Sequence, residues 1–155
     1  MRLFQTESSD WSEKVMPRSH MVAKYFVAVY VLFTLLGTLA FHLAGMGWFD
    51  AVNHAMTSVS TAGFSTSDAS LANFPKATHW VAVALMVLGS LPFVLYVSTL
   101  RGNYWALLRD EQVRGFLLVL VGVSLPFTLW LWLHSDYALV DAWRIVTVNV
   151  VSIVS

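Results

Sequence analysis

Charge is absent from three long stretches of the chain: between Lys24 and Asp50, between Lys76 and Arg101, and between Arg114 and Asp136. Each stretch holds the roughly 20 apolar residues that a helix needs to cross a bilayer. The pattern predicts three spans, near 22–44, 79–100 and 115–134. A further apolar piece, 48–60, follows Gly45-Met46-Gly47. As a helix it is only roughly 20 Å long, against a hydrocarbon core of roughly 30 Å. The elements before 101 therefore read as span, short helix, loop, span. The fold class is all-α and membrane-embedded, a helix–pore helix–filter loop–helix unit of the potassium-channel-like type. The first 21 residues are polar and contain Pro17, a helix breaker, so they read as a link or a surface helix. Residues 101–114 form a charged connector, with a helix expected over 105–114.

The short helix and its loop carry the candidate chemistry. Asp50 falls in the first helical turn, where a carboxylate meets the positive end of the helix dipole. The opposite end points into the membrane, and its partial negative charge favours a cation. The loop that follows, Thr61-Ala62-Gly63-Phe64-Ser65-Thr66, reads as non-helical. Irregular backbone is tolerated at membrane depth only where protein or a water-filled cavity surrounds it. Gly63 reaches backbone angles closed to other residues, so successive carbonyls can be aimed at one axis. Neutral carbonyl oxygens suit a large monovalent cation, whereas divalent ions usually meet carboxylates. Thr61, Ala62, Gly63 and Phe64 are the candidate ion-coordinating residues, and 61–65 is the filter. Ser60, Ser65 and Asp68 stand at its edges as support or entrance. Asp68 either concentrates cations at the mouth or is a plain surface carboxylate.

The pattern starts again after Arg114. A span ends near His134, and a second short apolar segment over 139–155 contains Asp141-Ala142, echoing Asp50-Ala51. The tail 151–155 overlays 56–60 at an offset of 95, while the Asp-Ala pairs are offset by 91. Either the second short helix is about one turn longer or the aspartate match is fortuitous. The chain thus holds one whole unit (22–100) and the start of another (115–155).

Composition agrees. The chain is 57% hydrophobic and 12% charged, against roughly a quarter charged in soluble domains. Its mean hydropathy is +0.66. A net charge of zero gives no electrostatic case for nucleic acid. The absence of cysteine excludes disulfides and thiolate metal sites. Lys and Arg placement sets orientation. Arg2, Lys14, Arg18 and Lys24 precede the first span, and Arg101, Arg109 and Arg114 precede the third. Only Lys76 lies between the first and second, and Arg144 follows the third. The N-terminus and 101–114 are expected to be cytoplasmic, with 45–78 outside, in a multi-pass protein of the inner or plasma membrane. Trp48, Trp80, Trp130 and Trp132 fit either interfacial belts or packed cores.

Other readings compete at single residues. His42, His54, His79 and His134 include no i, i+3 or i+4 pair, so packed or interfacial histidines outweigh metal ligands or a proton relay. Gly89 and Pro92 suit a hinge or, better, close helix packing. An intramembrane protease would pair Ser60 or Ser65 with His54 or His79. No G-x-S-x-G elbow supports it, and the charged residues that mark intramembrane chemistry are lacking. The chain is not expected to be an enzyme.

Several runs together resemble a known family. They are Ser60-Thr61-Ala62-Gly63-Phe64-Ser65-Thr66 followed by Asp68-Ala69-Ser70, then Leu43-Ala44-Gly45-Met46 with Trp48-Phe49-Asp50-Ala51. Leu107-Leu108-Arg109-Asp110-Glu111 and Asn149-Val150-Val151-Ser152-Ile153 complete them. The sequence resembles the membrane subunit of Trk-type potassium uptake systems, relatives of the KtrB and plant HKT transporters. The resemblance implies four such repeats around one pore, each donating a filter strand with a characteristic glycine, here Gly63. It implies potassium as the transported ion, no cofactor, a homodimer, and a cytoplasmic nucleotide-binding regulatory subunit for which 101–114 is a candidate contact. The chain matches the second repeat and the start of the third, so Met1 is expected to be internal to a longer parent. A structural membrane module that passes no ions by itself is the alternative for a chain with one filter strand.

Overall fold

The computed structural model describes residues 3–100, 105 and 109–155. The helices are α1 (Leu3–Leu43), α2 (Trp48–Val59), α3 (Lys76–Ser90), α4 (Phe93–Leu100), α5 (Glu111–His134) and α6 (Leu139–Val154), with a 3-10 turn at Ser70–Asn73. No strand occurs among the described residues. Two stretches, Ala23–Leu43 and Glu111–His134, are long and apolar enough to cross a membrane as single helices. Many of their leucines are left bare: Leu35 is 64% exposed, Leu43 77% and Leu118 73%. Such a surface suits lipid rather than water.

Three sequence expectations need correction. Helix α1 runs through Pro17 from Leu3, so the predicted breaker does not end it. A proline inside a helix costs about 3 kcal/mol, which a 41-residue helix can carry. The second predicted span, 79–100, is two helices. Pro92 has no N–H for the Leu88 carbonyl and forces the residue before it out of the helical region; Leu91 is extended at φ −75°, ψ 148°. The Leu88 carbonyl keeps a long bond from the Leu91 amide at 3.4 Å and gains the Tyr96 hydroxyl, which donates to it at 2.6 Å. Tyr96 is buried and packs edge-on against Phe33 with centroids 5.0 Å apart. In the connector, residues 101–104 and 106–108 lie outside the described residues. Asp110 is extended, and its side chain accepts from the Gln112 and Val113 amides at 2.9 and 3.1 Å. That cap starts α5 at Glu111, so no helix is continuous over 105–114.

Helix α2 sits in a cradle of α1 and α3, in a core of Phe41, Met46, Ala51, Ala55, Val59, Ala82 and Leu85. Its inward face is small, with Ala51 and Ala55 fully buried, which lets backbones approach. The closest approach is at Gly89. A Cβ there would lie well inside van der Waals contact distance of the Val59 carbonyl oxygen and 3.1 Å from its carbonyl carbon. At Gly37 the obstacle is instead the Leu85 side-chain tip, 2.7 Å away. The packing reading of Gly89 is thus the one the contacts favour.

Helix α6 packs on both α5 and α3, with Trp80 and Trp143 edge-to-face at 5.8 Å. Asp50 and Asp141 are both the third residue after their N-caps, Gly47 and Ala138. Each precedes a fully buried alanine, Ala51 or Ala142. Helix α2 has 12 residues and α6 has 16. Counted from their N-caps the two helices are offset by 91, so the aspartate match is real.

Backbone cannot yield as a leucine tip can. Gly89→Ala is expected to destabilise the chain by about 1–3 kcal/mol, and Gly37→Ala by clearly less. Thermal unfolding of both variants in detergent micelles measures the difference.

Candidate ion-coordinating loop

Helix α2 ends in a Schellman turn. The Ala62 amide donates to Thr57 O at 2.9 Å and the Thr61 amide to Ser58 O at 3.3 Å. The turn demands a left-handed residue, usually glycine. Here Thr61 occupies it at φ +50°, a costly position for a β-branched side chain. Strain of this kind clusters at functional sites. Two residues later Gly63 is also left-handed, at φ +75°.

Beyond the turn the loop runs back along α2, tied to it step by step. Phe64 donates its amide to Thr57 Oγ1 at 2.8 Å. Ser65 Oγ lies 3.0 Å from His54 Nε2, and Thr66 Oγ1 donates to Asp50 Oδ1 at 2.6 Å. Residues 50, 54 and 57 have i, i+4, i+7 spacing, one stripe of a helix. His54 is buried. Its Nδ1 lies 2.8 Å from the Asp50 carbonyl, which can only accept, so Nδ1 carries the proton and Nε2 accepts from Ser65. The loop then closes on itself, through Ser67 N to Ser65 Oγ at 3.2 Å and Asn73 Nδ2 to Ser67 Oγ at 2.6 Å.

These ties use amides and side chains. Among the described residues, no hydrogen bond reaches the carbonyls of Thr61, Ala62, Gly63 or Phe64. All four residues are exposed, Phe64 by 79%. A Cβ on Gly63 would meet nothing within 4 Å. Behind the loop lies a cavity of about 150 Å³ whose lining includes Ser58, Thr61, Gly63, Met86, Asn149 and Ser152. The C-terminal half of α6 thus faces the same space as the loop.

The structure brings Thr61, Ala62, Gly63 and Phe64 into one exposed run and makes Ser60 the C-cap of α2, its hydroxyl on Met56 O at 2.8 Å. Ser65 is part of the ladder. Asp68 is exposed and outside it. Sequence reasoning missed the Asp50–His54–Thr57 stripe, although its spacing was readable, and missed the left-handed Thr61. The Ser65–His54 pair is one that a protease would need, but both side chains are engaged in holding the loop. His42 stacks on Trp48 at 3.8 Å, and His134 bonds the Trp130 carbonyl at 3.0 Å. No group of three metal-ligating side chains occurs among the described residues.

Residues 1–151 match the family model described as TrkH, cation transport protein. The chain belongs to the TrkH family. Over its whole length it is 49% identical to the Trk system potassium uptake protein TrkI of Halomonas elongata, of which it covers 32%. It is 36% identical to TrkH of Escherichia coli K12, over 81% of this chain and 26% of that protein. The crystal structure of the potassium transporter TrkH from Vibrio parahaemolyticus superposes with a TM-score of 0.84 at 29% identity, covering 91% of this chain and 31% of that one. The chain thus spans about a third of the length of these TrkH-family relatives.

The ladder makes a direct prediction. Thr66→Val removes a hydrogen bond to a carboxylate, worth about 1.5–3 kcal/mol. The variant is expected to unfold at a lower Tm in micelles, with the loop the first segment to lose hydrogen-exchange protection.

Proposed function

We propose that this chain is the part of a potassium uptake protein that supplies one strand of a four-strand selectivity filter. The observation that carries the reading is the division of labour in the loop. The Phe64 amide and the side chains of Ser65 and Thr66 are tied to α2, while the carbonyls of 61–64 are left unpaired and exposed. Unpaired carbonyls at membrane depth are expensive unless water or an ion meets them. Held in a row, they replace the hydration shell of a potassium ion. The C-terminal end of α2 adds its partial negative charge from behind. The names of the relatives, potassium uptake proteins and a potassium transporter, support the same ion.

The remaining strands come from other repeats of the same parent, and the pore is whole only with them. In this reading residues 45–78 face outward, and the N-terminus and 101–114 are cytoplasmic, following the positive-inside rule. Asp68 stands at the external mouth. The parent is a homodimer whose cytoplasmic face docks a nucleotide-binding regulatory subunit. The chain performs no enzymatic step and needs no cofactor; potassium is cargo.

Gly63 gives a clean test. Space at its Cβ is open, and aspartate tolerates left-handed backbone better than most residues, so Gly63→Asp should leave the fold intact. In the four-repeat protein it is expected to abolish potassium uptake or change its selectivity. Uptake with unchanged selectivity would sink the filter assignment. The isolated 155-residue chain, reconstituted in liposomes, is expected to pass no potassium. Robust selective flux would mean that several copies assemble the filter.

A further inference from the structure

Arg144 is an unexpected residue in α6. It is buried, 9% exposed, on a helix whose N-terminal end disfavours cations. Burying a guanidinium costs several kcal/mol unless it is paired and hydrogen-bonded. Its Nη2 donates to Asp141 Oδ1 at 3.1 Å. Its Nη1 donates to His79 Nδ1 at 2.7 Å, across from α6 to α3. Its Nε is buried without a partner. The bond at Nη1 fixes the state of the imidazole. Arginine has no acceptor, so His79 Nδ1 must present a lone pair. The other ring nitrogen, Nε2, faces the Leu71 carbonyl at 2.8 Å and carries the proton.

Leu71 lies in the 3-10 turn of the segment that leads away from the filter loop. Neutral His79 therefore links that segment to the short helix of the next unit. The groups around His79 are accounted for on every side. Lys76, on the same helix, bonds Asp141 Oδ2 at 2.8 Å. Asp141 and Arg144 come from α6, and the loop offers the Leu71 carbonyl. His54 of α2 bonds the Asp50 carbonyl and Ser65 and packs against Phe74 at 4.9 Å. Hydrogen bonds from Lys76 and then Arg144 hold the Asp141 carboxyl below the usual carboxylate range. Asp141 thus stays ionised in mild acid, with its two cations already shared.

We infer that His79 and Arg144 are positioning residues for the filter, and that a proton arriving at His79 from outside releases the tie between adjacent units. A protonated His79 has no acceptor at Nδ1 and sets a second cation 2.7 Å from the guanidinium. The two must separate, and α6 and the Leu71 turn lose their common anchor. The inference rests on the filter reading, because the readout is ion flux.

Glutamine is the informative substitution. Its amide oxygen can accept from Arg144 and its amide nitrogen can donate to Leu71, without a proton to gain. In the four-repeat protein, potassium flux is expected to fall several-fold as external pH drops from about 7.5 to about 4, a window that reaches below the ordinary imidazole range because the buried ring sits 2.7 Å from a guanidinium. His79→Gln is expected to remove that loss. An acid loss that persists in His79→Gln, or is absent from the unmodified protein, overturns the inference while leaving the filter reading intact. Gly63→Asp is the separate control: if it leaves flux untouched, the filter reading fails first. Should His79→Gln not fold, ring-nitrogen NMR of His79 in the unmodified protein decides. An Nε2–H tautomer that gives way to imidazolium in step with the flux supports the inference. A ring still neutral after the flux is lost overturns it.

Discussion

A helix that stops inside a bilayer must dispose of its last carbonyls and of the amides beyond them, because no bulk water is there to take them. Everything around 61–66 follows from that demand. The Schellman turn absorbs the Thr57 and Ser58 carbonyls. Thr57, His54 and Asp50 then take, in order, the Phe64 amide and the hydroxyls of Ser65 and Thr66. What the ladder leaves over is a short run of carbonyls, which is what the proposed filter role requires. A loop held through its carbonyls would have nothing to offer an ion. A loop held by nothing would not keep them in a row. Thr61 shows the tension most plainly, since a β-branched residue sits where the turn wants glycine.

The ladder fixes the loop to α2, and a second contact fixes α2 within the bundle. Gly89 lets α3 lie against the Val59 carbonyl, two residues before Thr61. Just past this contact Pro92 ends the helix, and Tyr96 makes good the Leu88 carbonyl, which otherwise holds only a 3.4 Å bond from Leu91. The small residue, the break and the repair lie within one stretch of eight residues. Depth of the loop and direction of the following helix are therefore set together.

The second unit repeats the start of the plan. Its short helix has the same third-position aspartate and the same buried alanine. Further along that helix, Asn149 and Ser152 line the cavity behind the first loop. At the opposite end Asp141 and Arg144 reach across to Lys76 and His79. Adjacent units thus meet at both ends of the short helix, by Asp141 and Arg144 at one end and across the shared cavity at the other, with Trp80 on Trp143 along the side.

Much of this was legible in the chain. Charge-free stretches mark the long apolar helices, though not the break at Pro92 in the second; the 13-residue apolar piece gives a short helix, and Gly63 among hydroxyls gives a loop. Each is a local property: length against bilayer thickness, side-chain transfer cost, and the steric freedom of one residue. What stayed hidden depends on which atoms meet. Nothing in residue type says that Thr61 is left-handed, that Tyr96 caps Leu88, or that Arg144 finds a neutral histidine 65 positions away. Pro92 announces a break but not its repair, and Pro17 announces a break that does not occur. The sequence by itself determined the layers and the place of the loop, because burial in lipid is decided residue by residue. Only the tertiary structure decided how the loop is held, because a hydrogen-bond partner is chosen by the geometry of the whole packed bundle.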